Sequence, residues 1–351
     1  MQSDHGFGVH GGVHGGADHM GVPRYDFSTN SNACGPCPAA LQALQQADAT
    51  HYPDPHYTDL RAALAQFHGV APARIVVGGS SSELIHRLTG HALRRGATQV
   101  TLPQHHYGDY AQALQWGPWV RMDRGQAGAE GLHWACEPSS PLGLCEDVWP
   151  LWASPEPAHS WRLLDCAYRP LWLEGEAPAR ALDGVWQLWT PNKALGLTGV
   201  RAAYAIAPQG TSAAELAALR ALAPSWVTGA HGVALLQAWV TPAVQQWLAA
   251  SRVQLRAWKA QQLALCARMG WAVLPGHQAN YFVAHVPLEA DALAAALAQW
   301  RGQGLKLRDC ASFGLPGRVR LGVLPPPAQQ ALAQAWAPWA DTGHHTDKES
   351  P

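Results

Sequence analysis

Short continuous apolar runs take turns along the chain with stretches whose apolar residues recur at helical spacing. Residues 51–70 open on a proline turn and continue with Leu60, Ala63, Leu64 and Phe67, which predicts an amphipathic helix burying those four side chains. Residues 74–93 read as a strand ending at Val76 and Val77, a Gly-Ser turn, and a helix starting at Ser80, Ser81 and Ser82 with Glu83 supporting the cap. Residues 99–110 read as strand then loop, and 133–143 as a strand entering a Pro-Ser turn. Three strand-like segments follow closely, at 162–165, 185–189 and 201–206. From Ala213 to Met269 the pattern is helical, broken near Pro224 and Pro242. Strand character returns at 270–286. Asp291 to Trp300 is a helix, 304–325 reads as two strands around a Gly/Pro loop, and Gln329 to Trp339 is a closing helix. Strands alternating with helices predict an α/β chain with a doubly wound, mostly parallel sheet in a large domain (46–244) and a smaller α+β domain (25–45 and 245–340). The Gly/His-rich start, 1–24, reads as a flexible arm, and the polar end, 341–351, as a disordered tail.

Composition narrows the function classes. The 351 residues suffice for one large domain and a smaller one. Only 14% are charged and the formal net charge is −1, so no basic face for nucleic acid is implied. Seven cysteines, an odd number in a long chain, do not form the pattern of a disulfide framework. The start has no basic n-region or apolar h-region, and no apolar run reaches membrane-spanning length. The expectation is a cytoplasmic protein with no membrane partner. Seventeen tryptophans read as core and subunit-interface fillers.

The candidate chemistry centres on Leu188–Tyr204, where Lys193 is the one charged residue between Val185 and Val200. A lysine isolated among apolar neighbours loses hydration and gives up its proton more readily, as an amine must before it condenses with an aldehyde. Arg201 offers a planar fork for a phosphate, and Gly196 and Gly199 let backbone approach a ligand. Asp165 ends an apolar strand and Tyr168 follows it. An aspartate so placed, upstream of an isolated lysine, points to pyridoxal 5'-phosphate (PLP), whose ring nitrogen it would keep protonated. The Ser80–Ser82 turn at a helix start is a candidate anion cup, and Tyr107 a candidate ring-stacking residue, unless it or Tyr110 simply packs in a core. Arg308 and Arg320 either converge on one anion or are two surface arginines. Cys34 and Cys37 spell a dithiol motif or are incidental turn residues, and His5, His10, His14 and His19 are a weakly supported metal set; no metal is expected.

Taken in order, several motifs resemble the fold-type I PLP enzymes. They are HGG at His10–Gly12 or His14–Gly16, DFS-x-N at Asp26–Asn30, YPDP at Tyr52–Pro55, ELI at Glu83–Ile85, ANY at Ala279–Tyr281, Arg308–Cys310 and Val319–Arg320. Within that group the chain looks like the histidinol-phosphate aminotransferases and, more closely, the threonine-phosphate decarboxylases of cobalamin synthesis. The resemblance implies the PLP-dependent transferase fold, and Lys193, Asp165 and Tyr168 as the catalytic set: Lys193 on the cofactor aldehyde, Asp165 on the ring nitrogen, Tyr168 on the ring oxygen. It also implies Tyr107 on the ring face, Ser81, Ser82 and Arg201 on the cofactor phosphate, and Thr190 and Ser140 as further cofactor contacts. Tyr52 would reach the phosphate from a neighbouring subunit, hence a homodimer. Arg320 would hold a substrate carboxylate, while Arg308, Asn30 and the His10–Gly11 backbone would hold a substrate phosphate. The chain departs from the family's Asn-rich turn, carrying Glu137–Gly143 (EPSSPLG), with Ser140 in place of an asparagine. The implied reaction is decarboxylation of O-phospho-L-threonine. The alternatives are an aminotransferase of the histidinol-phosphate type and, from another class, a catalytically inert PLP-fold protein.

Overall fold

The computed structural model describes residues 15–153 and 159–340. The chain enters through β1 (Tyr25–Asp26), α1 (Pro38–Gln45) and α2 (Thr58–His68). Pro38 suits the first helical position, where its missing N–H is no loss. Gly69, at φ 65°, closes α2 in the left-handed conformation that glycine adopts without strain. The buried stripe of α2 is Leu60, Leu64 and Ala65. Phe67, expected on that stripe, lies on its flank, 38% exposed and edge-on to Trp239.

A seven-stranded sheet follows, from β2 (Ile75–Gly78), β3 (Gln99–Thr101), β4 (Val120–Arg121), β5 (Gly131–Cys136), β6 (Ser160–Asp165), β7 (Trp186–Trp189) and β8 (Ala203–Ile206), in the order β2-β8-β7-β6-β5-β3-β4. The neighbours from β4 to β7 pair in parallel, and β8 runs antiparallel to β2 and β7. Helices cover both faces, so every residue of β5 and all but the first of β6 are buried, which is why these strands read as continuous apolar runs. Successive residues of β2 feed different cores: Ile75 and Val77 join one, Val76 the other.

The covering helices are α3 (Ser81–Arg94), α4 (Gly108–Ala113), α5 (Trp149–Trp152), α6 (Ala213–Arg220) and α7 (Ala230–Trp239). The 27-residue α8 (Pro242–Arg268) leads on to a second sheet. That sheet consists of β9 (Ala272–Val273), β10 (Tyr281–His285), β12 (Arg308–Asp309) and β13 (Arg318–Gly322), antiparallel in the order β12-β13-β10-β9. The helices α9 (Ala290–Gly302) and α10 (Pro326–Trp336) belong to the same C-terminal part, where Trp271, Trp300 and Trp336 pack ring against ring. The expected two-strand unit at 304–325 is divided. β11 (Leu305–Lys306) leaves to pair in parallel with β1, and only Arg308–Asp309 pairs with β13.

Asp18 takes two hydrogen bonds from Arg301 (2.9 and 2.7 Å) and an ion pair from Lys306 (3.1 Å), and Lys306 also donates to the Gly16 carbonyl. Sequence periodicity carries no trace of partners so far along the chain. His5, His10, Gly11 and His14, and the 341–351 tail, lie outside the described residues. Among the described residues, no helix is long and apolar enough to cross a membrane.

Candidate active site

The C-terminal ends of β5, β6 and β7 open onto a cavity of about 810 Å³, closed on its other side by residues 15–29 and by the β12–β13 hairpin. Lys193 sits in the turn after β7. Asn192 anchors that turn: its Oδ1 accepts from Lys193 N (2.8 Å) and from the Thr190 hydroxyl (3.0 Å), while its Nδ2 donates to the Thr198 and Val200 carbonyls. The Asn32–Cys37 segment clamps the turn from outside. Asn32 N donates to Lys193 O, Asn32 Nδ2 to Ala194 O, and Cys37 N to Leu195 O. Gly196 has φ 68°, and a Cβ there would come within 2.9 Å of Gly35 Cα, so both glycines are needed for the contact. Cys34–Cys37 is therefore a packing piece behind the lysine. Burial pushes the Cys34 thiol up, against the lowered value of a redox-active cysteine.

Asp165 ends β6, 4% exposed. Its Oδ1 accepts from Ala167 N and its Oδ2 from the Tyr110 hydroxyl, both at 2.9 Å. Burial pushes its carboxyl up, and the Lys193 charge is the largest influence opposing that shift. Lys193 Nζ lies 4.5 Å from the centre of the Tyr168 ring, and Tyr168 packs edge-on to Tyr281. Asn30, at φ 59°, brings Nδ2 to 3.5 Å from the Tyr168 hydroxyl, while its buried Oδ1 has no protein partner.

The turn expected to form an anion cup is a capped helix start, at the beginning of α3. Ser80 caps the helix by accepting from Glu83 N (3.0 Å), and Glu83 reaches back to Gly79 N (3.2 Å). The Ser81 hydroxyl is buried without a protein partner. Ser81, Ser82, Tyr107, Thr190 and Arg201 all line the cavity. The Thr190 hydroxyl is engaged with Asn192 and the Ala202 carbonyl (3.2 Å), so its proton serves the lysine turn. Ser82 donates to Asp109.

Ser140 stands on the unusual turn, 5% exposed, and accepts from Arg320 Nη1 (3.2 Å). The turn is held by Glu137, whose fully buried carboxylate takes bonds from Arg180 (2.8 and 3.2 Å), Trp149 Nε1 (2.9 Å) and Glu146 N (3.1 Å), with Arg169 at 3.5 Å.

Arg308 and Arg320 are not surface arginines. They face each other across β12 and β13, are 5% and 6% exposed, and line the cavity together. Arg308 donates to Ser312 Oγ (2.8 Å) and Asp309 O, and Arg320 to Ser28 O (2.8 Å). Phe313 lies against both guanidinium groups, at 4.6 and 5.7 Å from its ring centre.

Tyr52 is not brought to this cavity. It is 76% exposed, stacked on Trp226 at 4.3 Å, and borders a separate groove of about 730 Å³ between α1 and α7. Sequence reasoning did not single out Asp109, the Tyr110–Asp165 bond or the Glu137 cluster. Tyr110 had a faint signal, three residues past Tyr107 at a helix start. Glu137 had none, because Arg169 and Arg180 are 32 and 43 residues away.

A family model described as aminotransferase class I and II matches residues 22–124 and 161–335. The chain is 28% identical over 328 residues to a histidinol-phosphate aminotransferase of Hyphomonas neptunium, covering 85% of each. It is 30% identical over 323 residues to that of Granulibacter bethesdensis, covering 85% of this chain and 84% of the relative. Among solved structures, the histidinol-phosphate aminotransferase of Sinorhizobium meliloti in complex with pyridoxal-5'-phosphate superposes with a TM-score of 0.72 at 22% identity, covering 89% of both chains. The L-threonine-O-3-phosphate decarboxylase of Porphyromonas gingivalis superposes with a TM-score of 0.74 at 18% identity, covering 90% of this chain and 99% of that one.

Proposed function

The chain belongs to the class I and II aminotransferase family and is a PLP-dependent enzyme, and from that premise we propose that it decarboxylates a small phosphorylated amino acid, O-phospho-L-threonine first. The cavity fits the cofactor. A lysine amine and a buried carboxylate that feels its charge both line it, and an unpartnered buried hydroxyl waits at a helix N-terminus, where anions are favoured. In this reading Lys193 holds the aldehyde, Asp165 the ring nitrogen, and Tyr168 and Ser140 the ring oxygen. Tyr107 covers the ring, and Ser81, Ser82 and Arg201 hold the phosphate, with Thr190 supporting the lysine turn. Bound PLP supplies the electron sink that a carbanion at Cα requires.

The observation that carries the substrate class is the convergence of Arg308 and Arg320 in the lysine's cavity. Two buried guanidinium groups suit a substrate with two anionic groups, one on each fork. Arg320, bonded to Ser140, takes the carboxylate. Arg308, with Ser312 beside it and Asn30 and the His10–Gly11 stretch as further contributors, takes the phosphate. The substrate leaves its carboxylate as CO2 and receives one proton at Cα, which Lys193 Nζ delivers. The half-buried Phe313 ring and the buried Tyr281 ring shield the arginines from water. Tyr52, exposed beside an apolar groove, supports a homodimer in which it completes the neighbour's phosphate cup.

A second reading, transamination of a histidinol-phosphate-type amine, is favoured by the curated relatives. Both are tested on one preparation of the PLP-loaded protein, dimeric by sedimentation velocity; a monomer would sink the role given to Tyr52. With O-phospho-L-threonine the expected product is the aminopropanol phosphate, followed by phosphorus NMR, and Lys193→Ala abolishes it. Glutamate formed from histidinol phosphate and 2-oxoglutarate, with O-phospho-threonine untouched, would establish the second reading instead.

A further inference from the structure

One carboxylate in the cavity has no part in the chemistry above. Asp109, on α4, is 5% exposed and stands against the first turn of α3. It accepts the Ser82 hydroxyl proton, and after burial its charge is the main influence raising the Tyr107 hydroxyl. A hydroxyl has one proton to donate, and the one Ser82 gives to Asp109 is not offered to an anion. The helix N–H groups, the Ser81 hydroxyl and Arg201 remain for the phosphate.

A phosphate monoester carries close to two negative charges above about pH 7. Asp109 adds another in the same enclosed space, and like charges sharing a site oppose one another's ionisation. Asp109 acts on Tyr107 before α4 and on Asp165 at the end of β6, and it shares the cavity lining with Asp26, His106, Tyr168, Lys193, Arg201, Arg308 and Arg320. Lys193 is opposed by Asp165, which leaves Arg201 and the helix terminus to balance both the phosphate and Asp109.

We propose that Asp109 shares a proton with the cofactor phosphate: one proton enters from solvent as the phosphate binds, and is held between a phosphate oxygen and the Asp109 carboxylate. The proposal rests on the phosphate placement at the start of α3 and Arg201 given above, with Ser82 contributing its backbone N–H, and makes cofactor capture weaken as pH rises.

Pyridoxamine phosphate carries the same phosphate and forms no bond to Lys193, so it probes the cup alone. Titration calorimetry of the full-length apoprotein near pH 8, in two buffers of unlike ionisation enthalpy, counts the protons. The wild type should take up about one proton more than Asp109→Asn, and its Kd should rise about tenfold more per pH unit between pH 7 and 9. Equal proton counts, or weaker binding by Asp109→Asn at every pH, would overturn the proposal and leave Asp109 as a holder of Ser82 and Tyr107. Phosphorus NMR of the wild-type complex needs no variant: a resonance short of the dianion position and stationary from pH 6 to 9 supports the shared proton, and one at the dianion position refutes it. Arg201→Ala reports on the placement itself. Weaker binding at every pH with an unchanged proton count supports the cup, whereas unweakened binding puts the phosphate elsewhere and the Asp109 proposal falls with it.

Discussion

At the scale of single residues, the site depends on side chains that never touch a substrate. Asp165 receives two hydrogen bonds in a buried setting, and the one from Tyr110 is the only side-chain donation to it among the described hydrogen bonds. Tyr110→Phe keeps the stack on Trp134 (4.7 Å) but removes that proton. A buried acceptor left short of a donor costs about 1–3 kcal/mol. Because that bond favours the charged carboxylate, its loss makes Asp165 more basic and, in the proposed cofactor placement, would draw the ring proton toward it. The expected outcome is roughly a tenfold loss of kcat with KM little changed, and a shifted absorption maximum of the PLP-loaded protein. A variant with wild-type spectrum and kcat would show that Tyr110 only packs. Lys193, Asp165 and Arg201 were singled out by residue type and spacing, and the structure brings them to one cavity. Tyr110 and Asp109 were not, because α4 folds them inward against strands and a helix distant in the chain.

At the scale of elements, the departure at Glu137–Gly143 has a physical account. An Asn-rich turn is replaced by one that Glu137 holds from behind with two arginines and a tryptophan. The turn thereby keeps Ser140 against Arg320. Glu137→Ala strands Arg180 and Arg169, which are only 20% and 15% exposed, and removing one partner of such a buried set costs about 3 kcal/mol. Urea unfolding should show that loss, with a smaller one for Glu137→Gln, which retains acceptors for Trp149 and Glu146 N. Equal stability of Glu137→Ala and wild type would refute this account. The α3 start illustrates the opposite case. Ser80, Glu83 and the preceding glycines signalled a capped helix after a strand, and local geometry delivers it without help from afar.

At the scale of the molecule, two desolvated neutral histidines, the part-buried His68 and the buried His133, set the acid limit. Burial pulls His68 and His133 down to about 4 from the ordinary 6.5. The unfolded chain therefore binds their protons first as pH falls. Stability is full above about pH 6.5, declines toward pH 4, and near pH 5 each costs roughly 2 kcal/mol. The thermal midpoint should drop over that window, and His133→Gln should remove about half of the drop attributable to the pair. A midpoint flat from pH 7 to 5 would contradict it. His68 bonds Tyr204, which also receives Trp239, so part of the tryptophan excess serves a buried aromatic cluster.

Several features of this protein follow from the chain alone: the alternation of strands and helices, the capped turn before α3, the lone lysine after a buried strand and the aspartate ending another. Each depends on neighbours within a few residues, and hydrophobic period, cap chemistry and charge spacing act over that range. Tertiary structure alone decided other features. It divided the 304–325 segment between two sheets, tied Asp18 to Arg301, turned two arginines from surface candidates into a buried pair lining the same cavity as Lys193, left Tyr52 outside that cavity, and set Asp109 against Ser82 at the start of α3. Those outcomes depend on which surfaces meet when the sheets and helices pack. That pairing is made by burial and hydrogen bonding between residues tens to hundreds of positions apart, for which the linear pattern holds no period.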